Sequence, residues 1–489
     1  MRELPLLSLA ALRQLETLAE EAGLDLMQRA ARATADWVIK HYPAGCRILV
    51  AAGPGNNGGD ALFAALLLMH EGFSVDVLVP ATPSSTATRD ALQKIRAEGG
   101  IPLIRLADAY PPPALIIDGL FGIGLARQFD DDWAALIHQL NHLGAPILSL
   151  DCPSGLDAWT GMPLNAAIHA RHTLTFLCHK PGLFFAAGAD LAGQVALAAL
   201  DCPAHLLPQA DGLINLTDAS ALARPRDSHK GRFGTVAVIG GSRGMLGAAL
   251  LAGRAALAGG AGKVLLLTLD DRLPVDPAWP ELMIQTTSQT NALPAADVLA
   301  IGPGLGQSEA ARQMLMQALD STLPLVLDAD ALNLLAAHPS LQAKLNTRQA
   351  ASILTPHPTE AARLLQQETR AVQSDRLAAL NELTRRYHCA VVLKGAGSLI
   401  GQAGKHYRLN TGGGPALAVA GQGDVLTGLI AAMLAQGLSA IDAASLAVKI
   451  HGMAGDAYEQ EQGGPIGLTA SETTHRCSGL LNRMLASTP

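Results

Sequence analysis

The segment GPGNNGGD, Gly53 to Asp60, packs four glycines, two asparagines and an aspartate into eight residues. It follows an apolar run, RILVAA over residues 47–52, and precedes a helix-like one, ALFAALLLM over residues 61–69. A strand that passes through a glycine-rich turn into a helix start offers free backbone N–H groups to an anion. The glycines permit the tight path and let a ligand come close to the backbone. A phosphate cradle needs nothing more. The oxygens of Asn56, Asn57 and Asp60 suit, in addition, a ribose or a hard cation. The loop reads as a site for a nucleotide-like ligand with an ion beside it.

Other segments share this character. In the first half they are DGLFGIGL from Asp118, DCPSGLD from Asp151, and KPG from Lys180. Each alone is an ordinary turn composition, but together, at strand ends, they favour a site. In the second half, GQGDVLTG from Gly421 sets Asp424 at an expected helix start. Open N–H groups there stabilise charge developing on a transferring phosphoryl group, and the carboxylate can take a proton from an attacking hydroxyl. The plainer reading is an N-cap aspartate. Against it stand SHKG from Ser228, GGSRG from Gly240, GPGLG from Gly302, DADALN from Asp328, TPHPTE from Thr355 and KGAGS from Lys394. No GxxxxGK[ST] occurs, so a P-loop is excluded. His357, between two prolines, belongs on extended, partly exposed backbone.

Alternating apolar runs and helical patterns must position these residues. Strands are expected at 47–52, 74–79, 101–106, 114–118, 146–151 and 172–178, with helices at 61–71, 86–98 and 132–143. After a proline-rich, polar lapse over 201–232, strands are expected at 235–239, 263–267, 298–301, 323–328, 352–354 and 390–393. Helices fit 246–259, 308–319, 373–387, 422–436 and 439–459. Near-continuous apolar strands joined by helices mean a parallel sheet covered on both faces, with functional residues at strand carboxyl ends. The expected domains are 1–218 and 219–489.

A chain of 489 residues calls for more than one core. Its net charge of −7, with no long basic run, speaks against nucleic acid as a partner. Six dispersed cysteines without a CxxC pair fit reduced thiols and a cytoplasmic location. The first 23 residues read as an amphipathic helix rather than a signal peptide, and no membrane span is expected.

GPGNNGGD, DGLFGIGL, LDCPSGLD and HKPGL, in this order over residues 8–215, resemble the NAD(P)H-hydrate epimerase family. The resemblance implies a Rossmann-like three-layer α/β/α domain. It implies that Asn56, Asn57, Gly58, Gly59, Asp60, Gly122, Ile123, Gly124, Leu125, Ala126, Arg127, Gln128 and Asp151 contact a hydrated dinucleotide. Asn57, Asp118 and Ser154 would hold a potassium ion, a donor set of oxygens that suits a hard cation. Asp151 and Lys180 are candidate acid–base groups. Ile123 stands where the family has threonine, and Ala61 where it has glycine.

The second-half motifs, over residues 220–485, resemble the ribokinase-like ADP-dependent NAD(P)H-hydrate dehydratases. By that resemblance Lys394, Gly395, Ala396, Gly397, Ser398 and Gly423 hold the adenine nucleotide. Ala248, Gly304, His357 and Asp424 face the hydrated nicotinamide, with Asp424 as base and magnesium bridging phosphates. Departures are Thr359 for glycine, the GGGPA run from Gly412, and Gln422 in place of a small hydroxyl residue. Both halves thus imply one bifunctional repair of NADHX and NADPHX with ADP as co-substrate, in a homo-oligomer. The alternatives are a ribokinase-class small-molecule kinase, which leaves the first half unexplained, and a first domain that only binds. An ordinary Rossmann dehydrogenase is not supported, because the loop is not GxGxxG.

Overall fold

The structure is a computed structural model that describes residues 4–107, 109–124, 129–287 and 293–486. Contacts divide the chain into two units, 1–213 and 214–489. Among the described residues, no helix is long and apolar enough to cross a membrane, and all six cysteines are unpaired.

In the first unit the apolar runs become β1 (Arg47–Ala52), β2 (Ser74–Leu78), β3 (Leu115–Gly119), β4 (Ile147–Leu150), β5 (His172–Phe176) and β6 (Gln194–Ala198). They form a parallel sheet in the order β2-β1-β3-β4-β5-β6. The helices of twelve or more residues are α1 (Leu9–Glu21), α2 (Leu26–His41), α3 (Asn56–His70), α4 (Thr86–Ala97) and α5 (Asp131–His142). Val50, Leu62, Leu92 and Val38 share one apolar layer, and Leu49, Ile116, Ile137 and Leu140 another. Ser8, Asp25, Ser85 and Asp130 cap α1, α2, α4 and α5 by accepting backbone N–H groups. α3 is the exception: its N-cap is Gly55, and no side chain closes its first turn. The strand order reverses between β1 and β3, so a crevice opens at their carboxyl ends, facing the uncapped end of α3.

Residues 101–106 do not form the expected strand. Pro102 interrupts the run, Ile101 and Ile104 are exposed, and only Leu103 bridges to β2, at Leu78. The second unit carries β7 (Thr235–Gly240), β8 (Lys263–Thr268), β9 (Met283–Thr286), β10 (Val298–Ile301), β11 (Leu325–Leu327), β12 (Ser352–Leu354), β13 (Ala390–Leu393), β14 (Leu399–Gly401) and β15 (Tyr407–Leu409). Their order is β15-β14-β13-β12-β11-β10-β7-β8-β9, parallel except at β13–β14 and β14–β15. The helices that matter for the site are α6 (Leu246–Ala258), α7 (Pro358–Leu365), α8 (Gln422–Ala435), α9 (Ala440–Gln462) and α10 (Ala470–Ala486). α8 is apolar nearly all round and buried. A Cβ on its Gly428 would lie 2.0 Å from the Ala252 carbonyl oxygen, so α6 and α8 cross backbone to backbone.

Candidate functional site

The crevice of the first unit is a cleft of about 500 Å³, lined by Arg13, Glu16, Asn57, Asp60, Ile123 and Asp151 among others. Asn56, Gly122, Gly124 and Lys180 line it as well. Gly58 and Gly59 lie behind it: a Cβ on Gly58 would meet the Gly53 carbonyl oxygen at 1.9 Å. Asp118 ends β3 with its carboxylate fully buried. It accepts from Ser149 Oγ at 2.8 Å, Ser154 N at 2.9 Å, Ser154 Oγ at 2.6 Å and Leu120 N at 3.3 Å. Burial raises its pKa, and these donors oppose the rise. Ser154 Oγ also accepts from Phe121 N at 2.9 Å. Next along, Gly122 lies against the Asn57 side chain. Asn57 is 9% exposed, and its Nδ2 has no hydrogen-bond partner among the described residues.

Asp151 follows β4 with φ +66°, a left-handed conformation that costs a non-glycine residue energy and is typical of functional sites. Its carboxylate pairs with Lys180 Nζ. That ammonium also donates to Thr175 Oγ1 at 2.9 Å and the Phe176 carbonyl at 2.8 Å. Burial works most strongly against the Lys180 charge, but Asp151 together with Cys178 and Cys152 more than offsets it, so the ammonium pKa is raised. Asp60 behaves oppositely. Burial, and then Asp151, Glu16 and Asp25, push its carboxyl well above the usual range.

In the second unit Asp424 is the third residue of α8, not its N-cap. The N-cap is Gly421, at φ +89°, where a side chain would be strained, so the first-turn N–H groups stay open. Burial, then Asp328, push the Asp424 carboxyl up to about 7. Asp328 is 1% exposed. It accepts from Thr355 Oγ1 at 2.8 Å, Thr427 Oγ1 at 2.8 Å and Lys394 Nζ at 2.7 Å. Glu360 stands 4.0 Å from the same ammonium. A Cβ on Gly423 would lie 3.3 Å from Lys394 Nζ, which brings these two expected residues together. The guanidinium of Arg376, 3% exposed, shapes the loop after β13 by donating to the carbonyls of Leu393 at 3.1 Å, Lys394 at 3.2 Å and Ala396. Ala248 and Gly304 also meet, since a Cβ on Gly304 would lie 3.2 Å from the Ala248 Cβ. His357 caps α7: its Nδ1 accepts from Thr359 N at 3.1 Å, and its own N–H donates to Glu360 at 2.9 Å.

Leu125, Ala126, Arg127 and Gln128 lie outside the described residues. Asp328, Thr355 and Glu360 sit in segments that the sequence singles out, but their network with Thr427 joins residues far apart in the chain. Arg376 and Glu16 occur on helices without any motif, and nothing in the sequence marks them.

A family model described as NAD(P)H-hydrate dehydratase matches residues 236–475, and one described as YjeF-related protein N-terminus matches residues 23–182. The bifunctional NAD(P)H-hydrate repair enzyme Nnr of Coxiella burnetii is 36% identical, over 96% of this chain and 98% of its own. That of Escherichia coli K12 is 38% identical, over 88% of this chain and 84% of its own. A solved ribokinase-like superfamily protein from Enterococcus faecalis V583 is 29% identical over 54% of this chain and 91% of that chain, with a TM-score of 0.48. The chain belongs to the bifunctional NAD(P)H-hydrate repair enzymes.

Proposed function

We propose that the first unit interconverts the R and S epimers of NADHX and NADPHX, and that the second dehydrates the S epimer while ADP becomes AMP and phosphate. Water added across a ring double bond of reduced nicotinamide leaves a hydroxyl on a tetrahedral carbon, hence two epimers. An S-specific dehydratase would strand the R form, which gives the first unit its purpose. In the second unit Asp424 takes the proton of that hydroxyl as its oxygen attacks the terminal phosphorus of ADP, and AMP departs. Phosphate then leaves with a ring proton, restoring the double bond. The Lys394–Ser398 loop and Gly423 cradle the adenine nucleotide, with Ala248, Gly304 and His357 facing the nicotinamide. Magnesium, when bound, neutralises charge between the phosphates. The observation that carries this reading is Asp424: a carboxyl near 7 within the open first turn of α8.

In the first unit Asp151 and Lys180 exchange protons with the hydrate, while residues 56–60 and 122–124 hold it. Potassium fits Asn57, Asp118 and Ser154. The Asn57 amide has a buried terminal atom without a partner, and turned over it presents oxygen there. The Ser154 hydroxyl and Asp118 carboxylate, hydrogen-bonded to each other, would supply the other oxygens. To test the scheme, a mixture of both epimers is incubated with ADP, ATP or neither, and each epimer is followed by chromatography. Both epimers should disappear with ADP, and without nucleotide they should only interconvert. Dehydration that needs no nucleotide would overturn it.

A further inference from the structure

We infer that Lys394 is a catalytic cation for the transferring phosphoryl group, positioned by Asp328, and that the rest of its loop serves the adenine nucleotide. This rests on the reading of the second unit as a nucleotide-dependent dehydratase. The loop's backbone and the Lys394 side chain point to different tasks. Arg376 holds the carbonyls of Leu393, Lys394 and Ala396 and so fixes the loop's path. The ammonium instead reaches 2.7 Å from Asp328 Oδ1 and lies close before Gly423, in front of the first turn of α8. That is where the helix leaves its N–H groups open to an anion.

Asp328 is anchored to the same helix. Thr427, one turn beyond Asp424 and on the same face, donates to Asp328 Oδ2 at 2.8 Å, and Thr355 donates to Oδ1 at 2.8 Å. The ammonium is thereby held in register with Asp424 by α8 itself. Asp328 is 2% exposed in its side chain and Lys394 18%, so the carboxylate lies behind and the ammonium in front. Charge gives the reason. Asp328, Glu360 and Asp424 face this point, and a phosphoryl group approaching three carboxylates is repelled by each. Lys394 is the ammonium among them. Of its three N–H donors, Asp328 takes one at hydrogen-bond distance, while Glu360 stands at 4.0 Å, so a donor is left for a non-bridging phosphoryl oxygen. As the hydrate's oxygen bonds to the terminal phosphorus, the bond from that phosphorus to the bridging oxygen breaks. Asp424 takes the hydroxyl proton, and Lys394 stays protonated throughout.

The test uses the full chain with Lys394→Met, Lys394→Arg and Asp328→Asn. It measures kcat and KM for ADP on the S epimer, ADP affinity by calorimetry, and the urea midpoint of the second unit as the sign that this unit is folded. Lys394→Met should lower kcat on the order of 100-fold, with ADP affinity within about threefold and partial rescue by arginine. Asp328→Asn should lower kcat about tenfold and move the acid limb of its pH profile, because the charge beside Asp424 changes. ADP affinity that falls as far as the rate would overturn the inference, and so would an unchanged kcat. If Lys394→Met does not fold, Lys394→Arg decides: the charge is kept but displaced, and a kcat loss with ADP affinity retained is expected, whereas an unchanged rate overturns it. An Asp424→Asn chain that keeps its ADP-dependent rate would instead sink the underlying reading, whatever Lys394 does.

Discussion

In the first unit one buried lysine meets one aspartate: Lys180, 1% exposed, pairs with Asp151, and the two charges cancel inside the cleft. In the second, one lysine meets Asp328, Glu360 and Asp424, and the excess of negative charge helps hold the Asp424 carboxyl near 7. The contrast matches the chemistry. Epimerisation moves protons and leaves the net charge of the substrate unchanged, so the Lys180–Asp151 pair can serve it, with Asp60 beside it pushed up by burial and by Asp151, Glu16 and Asp25. Phosphoryl transfer needs a base that is basic at neutral pH, and burial among like charges supplies it.

The sharpest way to break this comparison is Asp424→Asn. It should reduce ADP-dependent dehydration by about 10²–10⁴-fold, the usual worth of a general base, while R and S epimers still interconvert at the parent rate. Equal loss of both activities would mean that the sites do not divide the work. In the parent chain, kcat for dehydration should fall about tenfold per pH unit below about 7, because the base must be ionised. Stability carries the same signature. The unfolded aspartate ionises near 3.8, whereas the folded one keeps its proton to about 7. The folded chain therefore holds more protons between these values, and stability drops as pH rises through that window, then levels off. Asp424→Asn should remove that contribution, which urea midpoints for the second unit at pH 5 and 8 would show.

A smaller effect belongs to the first site. Asp118→Asn exchanges a carboxylate that accepts four hydrogen bonds for an amide with one acceptor oxygen. Two buried donors lose their partner, at about 1–3 kcal/mol each. Consumption of the R epimer should slow and lose any dependence on potassium, with dehydration of pure S epimer unchanged. Loss on pure S epimer would contradict the division between units.

How much of this was legible in the sequence depends on the range of the contact. The strands at 298–301, 352–354 and 390–393 match the expected runs residue for residue, because a strand covered on both faces is nearly continuous in apolar residues, Ser352 being the polar exception. The run at 101–106 has the same composition but lies outside the sheet, where Pro102 and exposed Ile101 and Ile104 leave one bridging residue. Glycine loops announced the two sites through local backbone needs. The Asp328–Lys394–Thr427 network did not announce itself, since it joins residues 66 and 99 positions apart, and Arg376 sits on a helix whose pattern is that of any amphipathic helix.

Gln422 gives the finest test of the second site. The glutamine replaces a small hydroxyl residue of the family, which suggests a hydroxyl lost beside the phosphoryl path. The structure turns the side chain elsewhere. Gln422 is 5% exposed, its Nε2 donates to Thr473 Oγ1 of α10 at 2.9 Å, and its Oε1 lies 2.9 Å from His451 Nε2 of α9. Burial, with Lys394 nearby, lowers His451 to about 4, so the ring is neutral and its Nε2–H is the donor. The glutamine thus ties the start of α8 to two neighbouring helices. Gln422→Ser cannot span that distance and leaves the His451 N–H without its acceptor. We expect a stability loss of about 1–2 kcal/mol in the second unit, read from its urea midpoint, and a kcat within about threefold of the parent. A tenfold rise in kcat would show instead that a hydroxyl at this position acts on the phosphoryl group, and that the glutamine is a catalytic compromise rather than an anchor.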